Sequence, residues 1–257
     1  MLTPNRMKQK LGRGEPVIGL FASIPAAVTV EMIGQAGFDF VILDTEHSLV
    51  NPETIEHMLR AAELSGLTAL VRVARPDPAS VIPLLDGGAR GIVLANVEEP
   101  AAVEALNDCL RFHPLGRRSM NGGRPARFGA DDLSAYLERA NEALMLVPMI
   151  ESRQGVENLE AILRVPGVDM VLEGAADLSQ SLGVPWQTEA PAVTAALDRV
   201  HEACRRAEVS FCAIPRSEAR RDYWRKRGVR AFVLGDERGT AFRALQAKLA
   251  SFQGDAS

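Results

Sequence analysis

The sequence predicts a closed (β/α)8 barrel, built as a single α/β domain over residues 1–257. Three observations predict it: eight apolar runs recur along the chain, amphipathic helical stretches separate them, and several of those stretches end in glycine just before the next run. The runs are PVIGLFAS (16–23), FDFVILDTE (38–46), LTALVRVA (67–74), GIVLANV (91–97), LMLVPMIE (144–151), VDMVLEGA (168–175), VSFCAIP (209–215) and VRAFVLGD (229–236). Each is almost continuously apolar, as strands of a parallel sheet covered on both faces must be. Between them PETIEHMLRAAELSG, PASVIPLLDGGA, VENLEAILRVPG and PAVTAALDRVHEACRRA carry helical spacing, and Gly37, Gly66, Gly167 and Gly228 stand where helix C-termini favour glycine. Neither G-x-G-x-x-G after the first strand nor a Walker A sequence is present. Residues 112–130, FHPLGRRSMNGGRPARFGA, read as a long active-site loop after the fourth strand and its helix, too rich in Gly and Arg to be buried. The tail ERGTAFRALQAKLASFQ reads as the eighth helix, one that packs on a neighbouring subunit.

Composition narrows the function. A formal charge of −4 argues against a nucleic-acid partner, which calls for a basic face. No apolar run reaches the roughly 18–20 residues that span a bilayer, so no membrane role is expected. The polar N-terminus lacks the apolar centre of a signal peptide. Cys109, Cys204 and Cys212 show no metal spacing and read as reduced, buried thiols of a cytoplasmic protein.

In this fold the chemistry lies at the carboxyl ends of the strands. The second run ends in Asp44, Glu46 and His47, the fifth in Glu151, and the sixth leads through Glu173 and Gly174 to Asp177. Arg72 sits within the third run, where a guanidinium needs an anion: either a carboxylate on a neighbouring strand or a substrate. Glu151 and Asp177 follow consecutive strands and suit a hard divalent ion, Mg2+ or Mn2+; an acid/base pair or helix caps are the other readings. His47 is a candidate general base, with Asp44 three residues away to orient it. Asp86 stands at the C-terminal end of the helix after the third strand, where the helix dipole disfavours an anion, so a partner elsewhere or plain solvation must offset it. His57 and His201 read as surface or packing residues, and His113 opens the long loop. Trp186 and Trp224 are too few for a stacking platform.

The segments AGFDFVILDTEH, VRV, LLDGGARGIVLANV, MIES and EGAADLS, in this order, resemble the HpcH/HpaI aldolase family of metal-dependent pyruvate-type aldolases, over nearly the whole chain. The resemblance implies that Glu151 and Asp177 hold a divalent metal on which a 2-oxo acid binds, and that Arg72 stabilises charge on the reacting oxygen. It implies His47 as base with Asp86 raising its basicity and Asp44 steadying the group. Backbone amides at Gly174, Ala175 and Ala176 would bind the substrate carboxylate. A homo-oligomer, commonly a hexamer joined through C-terminal helices, is the implied assembly.

Two positions depart from the usual family pattern. Met149 replaces a Gln two residues before the metal Glu, and GRRSMNGGRPARFG replaces G-x-R-G-x-G in the long loop. With EGAADLSQSLGVPWQ, these departures resemble the subgroup of citrate synthases in staphyloferrin B siderophore biosynthesis, which condenses oxaloacetate with acetyl-CoA. Acetyl-CoA rests on that resemblance alone, since the sequence has no recognisable CoA signature. Oxaloacetate carries a second carboxylate, for which Arg124 is the candidate, with Arg117 and Arg118 as alternatives. The competing readings are a metal-dependent aldolase acting on pyruvate and an aldehyde, and a non-catalytic 2-oxo acid sensor.

Overall fold

A computed structural model describes residues 2–253. The strands are Val17–Ala22 (β1), Phe40–Asp44 (β2), Thr68–Val73 (β3), Gly91–Leu94 (β4), Met145–Ile150 (β5), Met170–Glu173 (β6), Ser210–Ala213 (β7) and Ala231–Asp236 (β8). All are parallel, each pairs with the next, and β8 pairs with β1, which closes the predicted barrel. Alternate residues point inward and form a packed interior of large side chains, among them Phe21, Phe40, Ile42, Leu70, Met145 and Leu172. The opposite set packs outward against the helices, which gives each strand its unbroken apolar run.

Helices Ala27–Gln35 (α2), Pro52–Leu64 (α3), Pro78–Gly87 (α4) and Pro100–Leu110 (α5) follow β1 to β4 in turn. Asn51 and Asp77 cap α3 and α4 through their side chains, and both helices begin on proline, whose missing N–H costs nothing there. Leu133–Ala143 (α6) leads into β5; Arg153–Glu157 (α7) and Leu159–Leu163 (α8) follow β5; Ala175–Ser181 (α9) and Pro191–Arg206 (α10) follow β6; Glu218–Lys226 (α11) follows β7; Glu237–Gln253 (α12) follows β8. The four glycines singled out at helix ends have φ between 73° and 93°, the left-handed region that favours glycine.

The structure differs from the sequence reading in two places. A first helix, Arg6–Gly12 (α1), precedes β1, and its Met7 is buried with Val17 and Phe40. It plugs the end of the barrel at which the strands begin, and only Met7 and the partly buried Leu11 carry that apolar contact. The 112–130 segment is anchored: Phe112, Arg118, Pro125 and Ala126 are buried, and Phe112 and Ala126 pack with Tyr136 and Ala140 of α6. Arginine and glycine did not keep the segment out of the interior, because Arg118 stacks on the Phe112 ring and pairs with Asp86.

The last helix does not cover its own barrel. Glu237, the only buried residue of α12, accepts hydrogen bonds from the backbone N–H groups of Ser23 and Ile24 and roots the helix at the β1–α2 turn. Beyond that root Phe242, Leu245, Leu249 and Phe252 are exposed, as are Ile18 on β1 and Leu234 on β8.

Gly91 marks where the barrel wall is tightest. A Cβ there would lie 2.5 Å from the Met145 carbonyl oxygen and 2.7 Å from Met145 Cβ, and backbone of a central strand has no room to yield. Gly91→Ala is expected to lower stability by about 1–3 kcal/mol through overpacking. The shift in urea unfolding midpoint measures it, and an unchanged midpoint would show that β4 and β5 separate more easily than this packing implies.

Candidate active site

The register of the sheet brings the first pair together: Asp44 lies beside Arg72 across β2 and β3, both on the inward-facing alternation. Arg72 Nε donates to Asp44 Oδ1 at 3.0 Å and Nη2 to Oδ2 at 2.8 Å, a two-pronged ion pair. The Asp44 side chain is 2% exposed and that of Arg72 10%. Asp44 Oδ1 also accepts from the backbone N–H of Glu46 at 3.0 Å and of His47 at 3.3 Å, which curls the β2–α3 loop over the barrel mouth. Burial alone would raise the Asp44 carboxyl, but Arg72 and these two amides hold it below its ordinary range.

The guanidinium is fixed on its other sides as well. Its Cζ lies 4.7 Å from the centre of the Phe21 ring, and Glu46 Oε2 is 3.3 Å from Nε. Nη1 makes no hydrogen bond among the described residues, so one nitrogen of a rigidly held cation keeps its donors unspent. The two sequence readings of Arg72 therefore coexist: it is a structural partner of β2 and still has a donor to offer. Glu46, noted only as part of the strand ending, belongs to this group, since Oε2 also lies 3.7 Å from His47 Nε2. The His47 side chain is exposed at the rim.

Across the mouth, Glu151 continues the inward alternation of β5. It is 4% exposed, and its Oε1 accepts from the backbone N–H of Asn96 at 2.6 Å. Asn96 follows β4 with φ 46°, a left-handed conformation that asparagine tolerates and that aims its amide at the carboxylate. That φ is the only trace Asn96 leaves, and a sequence shows no backbone donor. Gly174, the residue before α9, is packed so close that a Cβ would lie 2.4 Å from Glu151 Oε2. Burial pushes the Glu151 carboxyl up to about 7; the Asn96 amide opposes this, and the negative charges of Asp177 and Glu46 add to it. Met149 lies two residues earlier on the same inward face and has no polar group to offer the carboxylate. Asp177 stands exposed in the first turn of α9, and Gly174 and Ala175 are buried beside it with Ala176 half-buried.

Two expected residues lie at the other end of the barrel. Helices after a strand run back from the mouth, so the C-terminal ends of α3 and α4 stand where the strands begin. Asp86 is nine residues past the Asp77 cap, about 13 Å along α4 at 1.5 Å per residue. There it accepts from Arg118 Nη2 at 2.7 Å and from Asn121 Nδ2 at 2.9 Å, which is the partner its unfavourable position called for. Within the chain it does not accompany His47. Arg124 pairs with Glu63 at the end of α3 and donates to the Gly87 carbonyl at 3.3 Å. It therefore holds the barrel's lower rim and stands away from the mouth, as does Arg118. Arg117 is 86% exposed beside Asp108 of α5. His57 is exposed on α3, and His201 is buried against Phe211 and Trp224.

Known proteins match the chain in sequence and in fold. Residues 17–244 match the HpcH/HpaI aldolase/citrate lyase family. The chain belongs to this family. It is an enzyme of the aldolase/lyase superfamily. The chain is 36% identical to the hydroxypyruvate/pyruvate aldolase of Sagittula stellata over 76% of this chain and 77% of that one. It superimposes on the crystal structure of citrate synthase SbnG with a TM-score of 0.90 and 40% identity, covering 96% of this chain and 97% of the other. A citrate lyase beta subunit from M. tuberculosis, solved with oxaloacetate and magnesium, shares the fold at a TM-score of 0.56 and 15% identity, over 87% of this chain and 92% of that one.

Asp177→Asn removes a negative neighbour of Glu151, so the Glu151 pKa is expected to fall below about 7. Carboxyl resonances of 13C-labelled glutamate followed through a pH titration would show it; an unmoved resonance would assign the whole shift to burial and Glu46.

Proposed function

We propose that the chain condenses oxaloacetate with acetyl-CoA to give citrate and free CoA, in the manner of the siderophore-pathway citrate synthases. The observation that carries this reading is the 40% identity with citrate synthase SbnG over nearly the full length of both chains. His47, exposed at the rim, takes a proton from the acetyl methyl group, with Glu46 beside its Nε2. The resulting carbanion forms a carbon–carbon bond to the keto carbon of oxaloacetate. The keto oxygen, now an alkoxide, faces Arg72 Nη1 and is protonated. Water then cleaves the thioester, which releases the CoA thiol. The amides of Ala175 and Ala176 are the donors for the carboxylate next to the keto group.

Glu151 and Asp177 are the residues that would hold a divalent ion, Mg2+ in first place and Mn2+ in second. The fit is electrostatic. Arg72 is already paired with Asp44, and Glu151, raised to about 7 chiefly by burial, is raised further by the negative charges of Asp177 and Glu46. Such a pocket takes up a cation. Among the described residues no group of three or more His, Cys, Asp or Glu is set to hold a metal, so two carboxylates would be the whole protein contribution. When bound, the ion would polarise the keto carbonyl. A specific observation favours a second reading, metal-dependent aldol chemistry on pyruvate and an aldehyde: the likeness to the Sagittula stellata aldolase.

Assembly and location follow the same reading. Among the described residues no helix is long and apolar enough to cross a membrane. Cys109, Cys204 and Cys212 are buried free thiols, which supports a reducing compartment, the cytoplasm. The exposed Phe242, Leu245, Leu249 and Phe252 of α12, with the uncovered Ile18 and Leu234, support a homo-oligomer, a hexamer by family likeness, in which α12 of one subunit covers the β8–β1 wall of another.

Thiol release from acetyl-CoA on adding oxaloacetate, followed with Mg2+ and with chelator, tests the chemistry. Citrate is the expected product, and His47→Ala is expected to abolish it; turnover of pyruvate and an aldehyde without thiol release would establish the aldolase instead. Leu245→Asp with Leu249→Asp is expected to dissociate the oligomer in light scattering, and an unchanged mass would rule out this use of α12.

A further inference from the structure

Oxaloacetate has a second carboxylate, and with Arg124 at the opposite end of the barrel its counter-charge must come from a loop at the mouth. The loops and helix starts after strands hold four arginines with no ion pair among the described residues: Arg75, Arg153, Arg216 and Arg238, the last exposed in the first turn of α12. Arg75 lines a cleft of about 950 Å3 between α3 and α4, outside the barrel wall. Arg153 opens α7, where its backbone N–H donates to Ser181 Oγ at the end of α9, so its base lies toward the helical layer. Arg216 is placed differently. It is exposed in the β7–α11 loop, three residues past the end of β7 and two past Ile214, which packs partly buried on the barrel interior. Its loop is held down because the Ile214 backbone N–H donates to Glu173, the buried last residue of β6. Arg216 is near enough to act electrostatically on Glu173 yet forms no ion pair with it. Glu173 is followed directly by Gly174, Ala175 and Ala176. This anchors the Arg216 loop next to the backbone amides offered to the first carboxylate.

We propose that Arg216 binds the distal carboxylate of a dicarboxylic 2-oxo acid and so selects oxaloacetate over pyruvate. The proposal rests on the citrate-forming reading of the site and names the residue that makes it a dicarboxylate site. A guanidinium on a β7–α11 loop tied to β6 faces one end of a substrate whose keto group lies toward Arg72. An arginine that only stiffened the loop through Glu173 would not distinguish the two acids.

Calorimetric titration with freshly dissolved oxaloacetate and with pyruvate, in buffer containing Mg2+, tests it on the full chain. Arg216→Ala is expected to weaken oxaloacetate about 10- to 100-fold, the usual loss for a charged hydrogen bond, while pyruvate changes less than about twofold. Arg216→Lys is expected to recover part of the oxaloacetate affinity, and Arg124→Ala to leave the ratio of the two unchanged. Equal losses for both acids would make Arg216 a loop support and overturn the proposal. An undiminished preference in Arg216→Ala would overturn it while leaving the citrate-forming reading intact. A wild-type chain that binds the two acids equally would overturn both.

Discussion

The Asp44–Arg72 pair is the constraint on which the mouth depends. A buried two-pronged ion pair is weak support for stability, because desolvation of both partners offsets much of their attraction. Its value is geometric. Asp44 spends both oxygens on Arg72 and one of them again on the amides of Glu46 and His47, so one side chain sets a strand-to-strand contact and the path of the following loop. Phe21 closes the remaining face of the guanidinium. A cation held on three sides donates in one direction without reorganising, which is the form electrostatic stabilisation takes when it is most effective.

That pairing also sets the charge balance around it. Because Arg72 is matched by Asp44, its charge only partly offsets Glu46 and Asp177, which add to the burial that chiefly raises Glu151 to a pKa of about 7. The linkage has a definite sign. A carboxyl whose folded pKa exceeds its ordinary value of 4.5 favours the folded state fully below about pH 4.5, and that contribution is lost as the pH rises to about 7. At neutrality the site is thus held at a cost in stability that protonation of Glu151 relieves. Met149 belongs to this account: its apolar side chain offers Glu151 no hydrogen bond, so the burial of that carboxyl is opposed by the Asn96 amide and the Arg72 charge.

The barrel was legible because its strands are buried on both faces, which writes them as unbroken apolar runs, and because strand ends point to the mouth. That rule put Asp44, His47, Glu151 and Asp177 at the mouth, and the cost of a lone guanidinium in an apolar run singled out Arg72. Arg124 and Asp86 were misplaced because the rule has a second half. A segment after a helix begins at the end where strands start, and 112–130 follows α5. Length and an Arg-rich, Gly-rich composition suggest a lid, but chain order decides which end it serves. Asp86 carried a true signal, an anion at a helix C-terminus, and its partner was Arg118 of that same segment. Helix α1 and the Asn96 amide left little trace, since the first buries chiefly Met7 and the second acts through backbone.

The outer layer follows the same chain-order logic to a different result. A barrel of eight strands needs cover over every outward-facing row, and elsewhere the helix after each strand supplies it. After β8 the chain is pinned by Glu237 to the β1–α2 turn and then departs, so the β8–β1 wall keeps Ile18 and Leu234 in water while α12 keeps four large apolar residues there too. Each exposure is unfavourable alone, at about 25 cal/mol per Å2 of apolar surface. The missing cover and the unpacked helix belong to the same strand-helix unit, so an exchange between identical chains would remove both at once. Such an exchange would leave the Glu237 root, and with it the top of β1 that carries Phe21 to Arg72, unchanged.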